Sequence, residues 1–153
     1  MGIGVHVYDI LRFVMNAEIE EVTAICDPQQ EDALDDMEYA ILKFTNGSRG
    51  VAITGVKVPR SDNGLVLYGS KAKLTIQGQD ELIVEGDSIN LSASFPTTPG
   101  FRSREYKLVI EDFNQCITED IESVNSGLSG LQMVKVTNAI LESNRTGKVV
   151  RVE

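Results

Sequence analysis

The spacing of apolar residues predicts a helix at the start of the chain, followed by a strand. Apolar side chains recur at near-helical intervals at Val5, Ile10, Leu11, Phe13 and Val14. Asn16 can end this segment, so we predict a helix over residues 5–15. Residues 20–26 then combine alternation with β-branched side chains, and Asp27-Pro28 breaks the pattern. A first strand follows the helix.

The middle of the chain alternates with a period of two, which predicts antiparallel strands. Residues 37–44 alternate and lead to Asn46-Gly47, a pair that tolerates the positive φ of a hairpin turn. Residues 50–58 form the predicted return strand. Three shorter strands, divided by glycine-containing turns, are predicted at residues 65–68, 72–76 and 81–84. This pattern indicates a meander rather than parallel crossovers.

The last third of the chain predicts a loop, two helices and a closing strand. Residues 92–103 contain prolines and glycine among serines and threonines, so we predict a surface loop for a substrate or partner. Residues 106–110 lead into a helix with apolar positions at Phe113, Cys116, Ile117, Ile121 and Val124. Residues 126–129 break the pattern. A third helix is marked by Leu131, Val134, Val136, Ile140 and Leu141, ends at Thr146-Gly147, and precedes a strand over residues 148–152.

This order of elements predicts an α+β fold. We expect an open, mainly antiparallel sheet with the helices packed on one face. The second face must then be polar or covered by another molecule. If it is apolar, a homodimer or tetramer through the open sheet face is the expected arrangement.

Composition narrows the class of protein. The chain has 153 residues, of which 42% are apolar and 24% charged, so we expect a single globular domain over residues 1–153. Its formal net charge of −9 argues against partners with clustered phosphates, because affinity for nucleic acid comes chiefly from Lys and Arg. We therefore expect no nucleic acid and no membrane partner.

The cysteines and apolar runs predict a cytoplasmic protein. Cys26 and Cys116 are the only cysteines, too few and too widely spaced for a disulfide framework or a Cys-x-x-Cys metal site. The longest apolar runs are strand-sized, and the N-terminus lacks a basic segment followed by an apolar one. We expect reduced thiols in a soluble, intracellular chain.

Candidate chemistry begins with the one histidine. His6 could act as a general acid or base, a role that histidine often has at neutral pH, and Asp9 lies one helical turn later. Residue types and spacing alone favour a structural role for a lone histidine. In the predicted loop, Arg102 and Arg104 could contact a sugar or an anionic substrate.

Two further patterns do not support a site. Gly2-Ile3-Gly4 resembles the start of a phosphate-binding glycine motif, but Val7 occupies the third glycine position and no strand precedes it. We therefore predict no dinucleotide site here. The acidic residues Glu31, Asp32 and Asp35-Asp36 do not have the spacing of a calcium loop, so we predict no metal site.

Taken together, several segments resemble one family. They are residues 4–13 (GVHVYDILRF), 21–24, 36–40 with 44–47, 67–74, 111–113, 127–132 and 139–147. In this order they resemble the C-terminal half of the glucose-fructose oxidoreductase, inositol dehydrogenase and MocA-like family of NAD(P)-dependent oxidoreductases. The resemblance covers nearly the whole chain.

The resemblance implies a role for His6. It matches the family histidine that accepts a proton from the substrate hydroxyl, and Asp9 would help to hold the helix and the substrate. The family's aspartate, four residues before the histidine, is replaced here by Gly2. In the family, NAD or NADP is bound by an N-terminal Rossmann domain, and this chain shows neither the glycine-rich loop nor the catalytic lysine segment of that domain.

Two functions remain open at this point. The first is the substrate-binding and oligomerising domain of an oxidoreductase acting on a sugar or cyclitol hydroxyl, inactive alone. In this case the chain is either a fragment or is encoded apart from its Rossmann-domain partner. The second is a free-standing, non-catalytic dimerising module that binds a sugar-like ligand or a partner protein, which Gly2 favours.

Overall fold

The computed structural model describes residues 4–27, 37–58, 64–78, 81–94, 101–123 and 125–153. The side chains of residues 101–105 lie outside this description. The described elements, in chain order, are α1 Gly4–Met15, β1 Ile19–Asp27, β2 Met37–Phe44, β3 Arg49–Thr54, β4 Gly64–Tyr68, β5 Ala72–Gln77, β6 Glu81–Gly86, β7 Ile89–Ser94, α2 Phe101–Glu119, α3 Gly127–Thr146 and β8 Val150–Arg151.

These elements fall into two compact units. The first unit comprises Met1–Val58 and Val124–Glu153, and the second comprises Pro59–Ser123. Each unit contains one four-stranded antiparallel sheet, in the order β3-β2-β1-β8 in the first and β4-β5-β6-β7 in the second. The predicted α+β class is confirmed, with the strands divided between two sheets where the sequence predicted one.

The core of the first unit lies between one face of its sheet and the helices α1 and α3. Alternation along β1 and β2 places every second side chain on this face. Burial of large apolar side chains between helix and sheet supplies most of the stabilising free energy. The fully buried members are Tyr8, Val22, Leu42, Phe44, Val136 and Ile140.

The hairpin between β2 and β3 forms as predicted. Gly47 adopts a φ of 84°, a left-handed conformation that favours glycine. Its backbone N–H donates to the carbonyl of Phe44 at 2.9 Å. The register then pairs Glu38 with Thr54 and Lys43 with Arg49.

Helix α3 covers the part of β1 that β8 leaves unpaired. β8 pairs only with Glu21 and Val22. Farther along β1, the Ala24 N–H donates to Ser143 Oγ at 3.0 Å, and the Cys26 N–H donates to Asn144 Oδ1 at 2.9 Å. These side chains satisfy strand groups that would otherwise form an open edge.

The ends of α3 follow the rules for helix caps. Ser126 is the N-cap, and its hydroxyl accepts a hydrogen bond from the Ser129 N–H. Gly147 is the C-cap, with a φ of 66° and an N–H that donates to the Ser143 carbonyl at 2.8 Å. The predicted glycine end is confirmed, whereas the predicted start near Leu131 was wrong, because Ser126 caps an earlier turn.

The sheet of the second unit has one apolar face. The strand register aligns two apolar rows across all four strands. One row contains Leu65, Ile76, Leu82 and Ala93, and the other contains Leu67, Leu74, Val84 and Leu91. The opposite face carries polar pairs such as Lys73 with Glu85, whose charged atoms are 2.9 Å apart. None of the described residues in this unit is fully buried.

The predicted loop over residues 92–103 was partly wrong. Ser92 and Ser94 lie in β7, where backbone pairing with β6 supports polar side chains at a sheet edge. Helix α2 begins at Phe101, so residues 106–110 continue an established helix instead of leading into one. Residues 95–100 lie outside the described part of the chain.

Two other strands are shorter in the structure than the sequence predicted. β3 ends at Thr54, before Gly55 with its φ of 144°, and so stops short of the predicted residue 58. β8 contains only Val150 and Arg151 of the predicted 148–152. No helix in the described ranges is both long enough and apolar enough to cross a membrane.

Candidate functional site

His6 and Asp9 lie on one side of α1, beside the start of α3. The spacing of three residues places both on the same helix face. With Val5 they line a groove of about 270 Å³. The other wall comes from the segment that opens α3 and contributes Asn125, Ser126, Ser129, Gly130 and Met133. His6 is exposed and therefore accessible to a ligand in this groove.

Asp9 is held by a neighbouring arginine. Arg12 Nη1 lies 3.2 Å from Asp9 Oδ1, one helical turn away. The Asp9 side chain remains half exposed at 49%, so its carboxylate still faces solvent in the groove. The ion pair therefore orients the carboxylate while leaving it able to accept a hydrogen bond from a ligand hydroxyl.

Arg12 connects three parts of the first unit. Its Nε and Nη2 atoms donate to the two carboxylate oxygens of Glu18, each at 2.6 Å. Its Nη1 atom also contacts Ser129 Oγ at 3.4 Å. The hydrogen bond with Glu18 raises the pKa of the Arg12 guanidinium. A permanently charged, bidentate arginine thus joins α1 to the following turn and to α3.

A second groove, of about 680 Å³, adjoins the first. Asp9, Asn125 and Ser129 line both grooves. The second groove also includes Phe13, Asn16 and Thr45, among other residues. Carboxylate, amide and hydroxyl groups are therefore concentrated where the two grooves meet.

The groove has the chemistry that a polyhydroxylated ligand needs. Serine hydroxyls and an asparagine amide can both donate and accept hydrogen bonds, and a carboxylate accepts them. Val5 and Met133 supply apolar surface for the C–H groups of such a ligand. A neutral imidazole at His6 could accept a proton from a bound hydroxyl.

Comparison with known families decides the relationship of this chain. A family model described as "Oxidoreductase family, C-terminal alpha/beta domain", of the Gfo/Idh/MocA group, matches residues 1–152. The chain belongs to this family. The predicted resemblance is confirmed over nearly its whole length.

Solved structures of oxidoreductases share the fold of this Gfo/Idh/MocA domain. Levoglucosan dehydrogenase in complex with NADH and L-sorbose matches with a TM-score of 0.86 at 19% identity, over 99% of this chain and 49% of that chain. Aldose-aldose oxidoreductase from Caulobacter crescentus, complexed with glycerol, gives 0.79 at 18% identity, over 97% and 45%. Among curated proteins, none matches.

The Gfo/Idh/MocA domain described here spans about half the length of the solved structures it matches. An oxidoreductase from Agrobacterium radiobacter, in complex with NAD+, L-tartaric acid and magnesium, matches over 97% of this chain and 47% of that chain, with a TM-score of 0.80 and 18% identity. At these sequence identities, the structural similarity shows a shared fold and nothing more.

The described residues do not fit a nicotinamide dinucleotide. Such a site needs a strand, a glycine-rich turn and a helix within a parallel βαβ unit. In the described ranges both sheets are antiparallel throughout. The same ranges contain no group of three or more His, Cys, Asp or Glu side chains that could hold a metal ion. The acidic residues Glu31, Asp32 and Asp35-Asp36 lie outside them.

The structure describes the positions of two of the three predicted site-residue side chains. The structure brings His6 and Asp9 to one groove. Arg102 lies in α2 and not in a loop, and its side chain is outside the described part of the chain. Its role in substrate binding stays a prediction, as do the roles of His6 and Asp9.

Sequence reasoning missed the polar residues around Asp9. Arg12 carried a signal, because a basic residue three positions after an acidic one on a helix forms an ion pair. Ser126 and Ser129 also had a recognisable sequence signal, because serine is a common N-cap residue before a helical segment. Their position beside His6 depends on the tertiary fold and had no local signal.

Proposed function

We propose that this chain is the substrate-binding and oligomerising domain of an NAD(P)-dependent oxidoreductase acting on a sugar or cyclitol hydroxyl. The observation that carries this proposal is the groove in which His6 and Asp9 of α1 lie beside Ser126 and Ser129 of α3. Membership of the oxidoreductase family supports it. The domain is inactive alone, because the described residues do not fit the cofactor.

His6 has the central chemical role in this proposal. Oxidation of a carbinol removes a hydride from carbon and a proton from oxygen, and a nicotinamide held by a second domain would supply the hydride acceptor. His6 accepts the proton on its imidazole nitrogen. Asp9 accepts a hydrogen bond from a neighbouring hydroxyl of the same substrate and fixes its orientation.

Two structural relatives support the substrate class. One is named a levoglucosan dehydrogenase, with NADH and L-sorbose bound, and another an aldose-aldose oxidoreductase with glycerol bound. L-sorbose and glycerol are polyhydroxylated, and the lining of this groove can form hydrogen bonds with ligands of that class. Neither Cys26 nor Cys116 forms a disulfide, and we propose the cytoplasm as the site of action.

A second candidate function is a non-catalytic, dimerising module that binds a sugar-like ligand. Gly2 stands where the family has an aspartate, and this favours a domain that has kept ligand binding without proton transfer. The two candidates differ in what a cofactor domain adds: turnover in the first and nothing in the second.

The outer face of the first sheet is the proposed surface for oligomers. Register places Ile25, Tyr39 and Ile53 in one row and Thr23, Ile41 and Val51 in the next. The five large apolar members are exposed. A neighbouring row is charged and contains Arg151, Glu21, Lys43 and Arg49.

The proposed occupant of this face is a second copy of the chain. A large apolar patch bordered by polar residues is typical of a protein interface. In the charged row, Lys43 lies 3.3 Å from Glu21, and Arg151 lies 3.7 Å from the same carboxylate, so both signs are present. A row of mixed sign can pair with its own two-fold copy. The proposed assembly is therefore a homodimer or a tetramer of this chain.

Calorimetry with nicotinamide cofactors tests the proposed function. We expect no saturable heat when NADH or NADPH is titrated into the purified chain, because the described residues lack a dinucleotide fold. After the chain is mixed with a dinucleotide-binding domain of an oxidoreductase of this family, we expect cofactor binding and oxidation of a polyol. The same domain without the chain is the control. Saturable binding of either cofactor to the chain alone would contradict the proposal.

A further inference from the structure

A buried polar pair lies beneath the helix that carries His6. Tyr8 of α1 is 2% exposed, and Glu38 of β2 is 8% exposed. The phenol of Tyr8 donates a hydrogen bond to Glu38 Oε1. In the adjacent strand Thr54, the register partner of Glu38, is also buried.

The first turn of α1 lies directly on this pair. A Cβ atom at Gly4 would lie 3.2 Å from both Glu38 Oε1 and Tyr8 Cε2, and 3.5 Å from Thr54 Cγ2. Glycine therefore permits a close approach of the helix backbone to the sheet. His6 lies in this same turn, two residues after Gly4 and two before Tyr8.

Stability alone does not explain a carboxyl group in this position. Burial raises the pKa of Glu38, since desolvation disfavours its charged form. Replacing both partners of a buried hydrogen bond by apolar groups of the same shape can be nearly neutral or stabilising. Apolar contacts, however, are not directional, whereas a hydrogen bond between two buried groups fixes the rotation of the helix about its axis.

We propose that Glu38 and Tyr8 are positioning residues for His6. Their hydrogen bond fixes the rotation and the height of the first turn of α1 over the sheet. It thereby fixes the direction in which the imidazole faces the groove. The benefit of this arrangement to proton transfer rests on the proposed function, whereas the positioning itself does not.

The test uses the fact that His6 is the only histidine of the chain. The Cε1–H group of its imidazole therefore gives a single signal in NMR spectra. Tyr8→Phe and Glu38→Leu remove the hydrogen bond. Glu38→Gln keeps a carbonyl acceptor in the same place, and Tyr39→Phe removes a tyrosine hydroxyl from the opposite face of the same strand.

We expect the wild type, Glu38→Gln and Tyr39→Phe to give the same His6 signal at a fixed pH. Tyr8→Phe and Glu38→Leu should shift the signal by more than the spread among those three, while urea unfolding shows that they remain folded. Rescue by Glu38→Gln separates positioning from a general loss of packing.

Three outcomes would overturn this inference. In the first, the His6 signals of Tyr8→Phe and Glu38→Leu stay within the range set by the wild type and the two control variants. In the second, Glu38→Gln shifts the His6 signal as far as Glu38→Leu does. Unfolding of both Tyr8→Phe and Glu38→Leu would leave the pair with a structural role only. Because the signal is recorded without a ligand, it tests positioning even if no polyol binds. A failure of the proposed function is thus distinguishable from a failure of this inference.

Discussion

Replacing Ile41 by aspartate is expected to convert the chain from a dimer to a monomer at micromolar concentration. Ile41 lies in the middle of an apolar row, between Thr23 and Val51 on the neighbouring strands. It is 57% exposed in the isolated chain and would be buried when a second copy covers the sheet. Two unpaired carboxylates, one from each copy, would then lie at the centre of the interface.

The expected weakening is large because a desolvated, unpaired charge is costly. We estimate about 3 kcal/mol or more for the dimer, which is roughly a hundredfold increase in Kd or greater. Sedimentation equilibrium of both chains over a range of concentrations measures it. Val134→Asp is the control, since Val134 is also exposed but lies on α3, which packs on the opposite face of the sheet. Equal masses for wild type and Ile41→Asp would contradict the proposed interface.

Replacing Ile140 by alanine is expected to cause the largest loss of stability among single changes in α3. Ile140 is fully buried where this helix packs on the sheet of the first unit. Removing its side chain loses the transfer free energy and leaves a cavity, with an expected cost of about 2–5 kcal/mol. Free energies of unfolding are on the order of 5–15 kcal/mol, so this substitution would remove a large share of the stability.

Urea unfolding, followed by circular dichroism, measures this change. Val134→Ala is the control on the same helix, because Val134 is 54% exposed and its truncation should cost less than about 0.5 kcal/mol. A similar small loss for Ile140→Ala would show that α3 is not packed on the sheet as described, and would remove the support for the groove wall at its N-terminus.

The elements that could be predicted are those with a strong local signal. The α1 helix has apolar spacing along its length, and the β2–β3 hairpin has Asn46-Gly47 at its turn. β7 was missed because Ser92 and Ser94 have little strand preference, and pairing with β6 decides their conformation. The start of α2 was missed because the proline and glycine before Phe101 resemble a continuing loop.

The candidate site was predictable in part for a similar reason. His6 and Asp9 share a helix, so their proximity follows from a three-residue spacing. Ser129 is 117 residues from Arg12, and only the packing of α1 beside α3 brings them together. The buried contact between Tyr8 and Glu38 likewise joins residues 30 positions apart. Contacts of this kind depend on the tertiary fold and leave no local pattern.

Titration with polyols shows whether the groove beside His6 binds a substrate of the proposed class. The purified chain would be titrated with D-glucose, myo-inositol and glycerol while the His6 imidazole signal and the Ser129 amide signal are recorded by NMR. We expect saturable shifts of both signals with at least one of these polyols, because both residues line the same groove. Absence of a saturable shift with all three, or shifts confined to residues outside the groove, would contradict the proposed substrate binding.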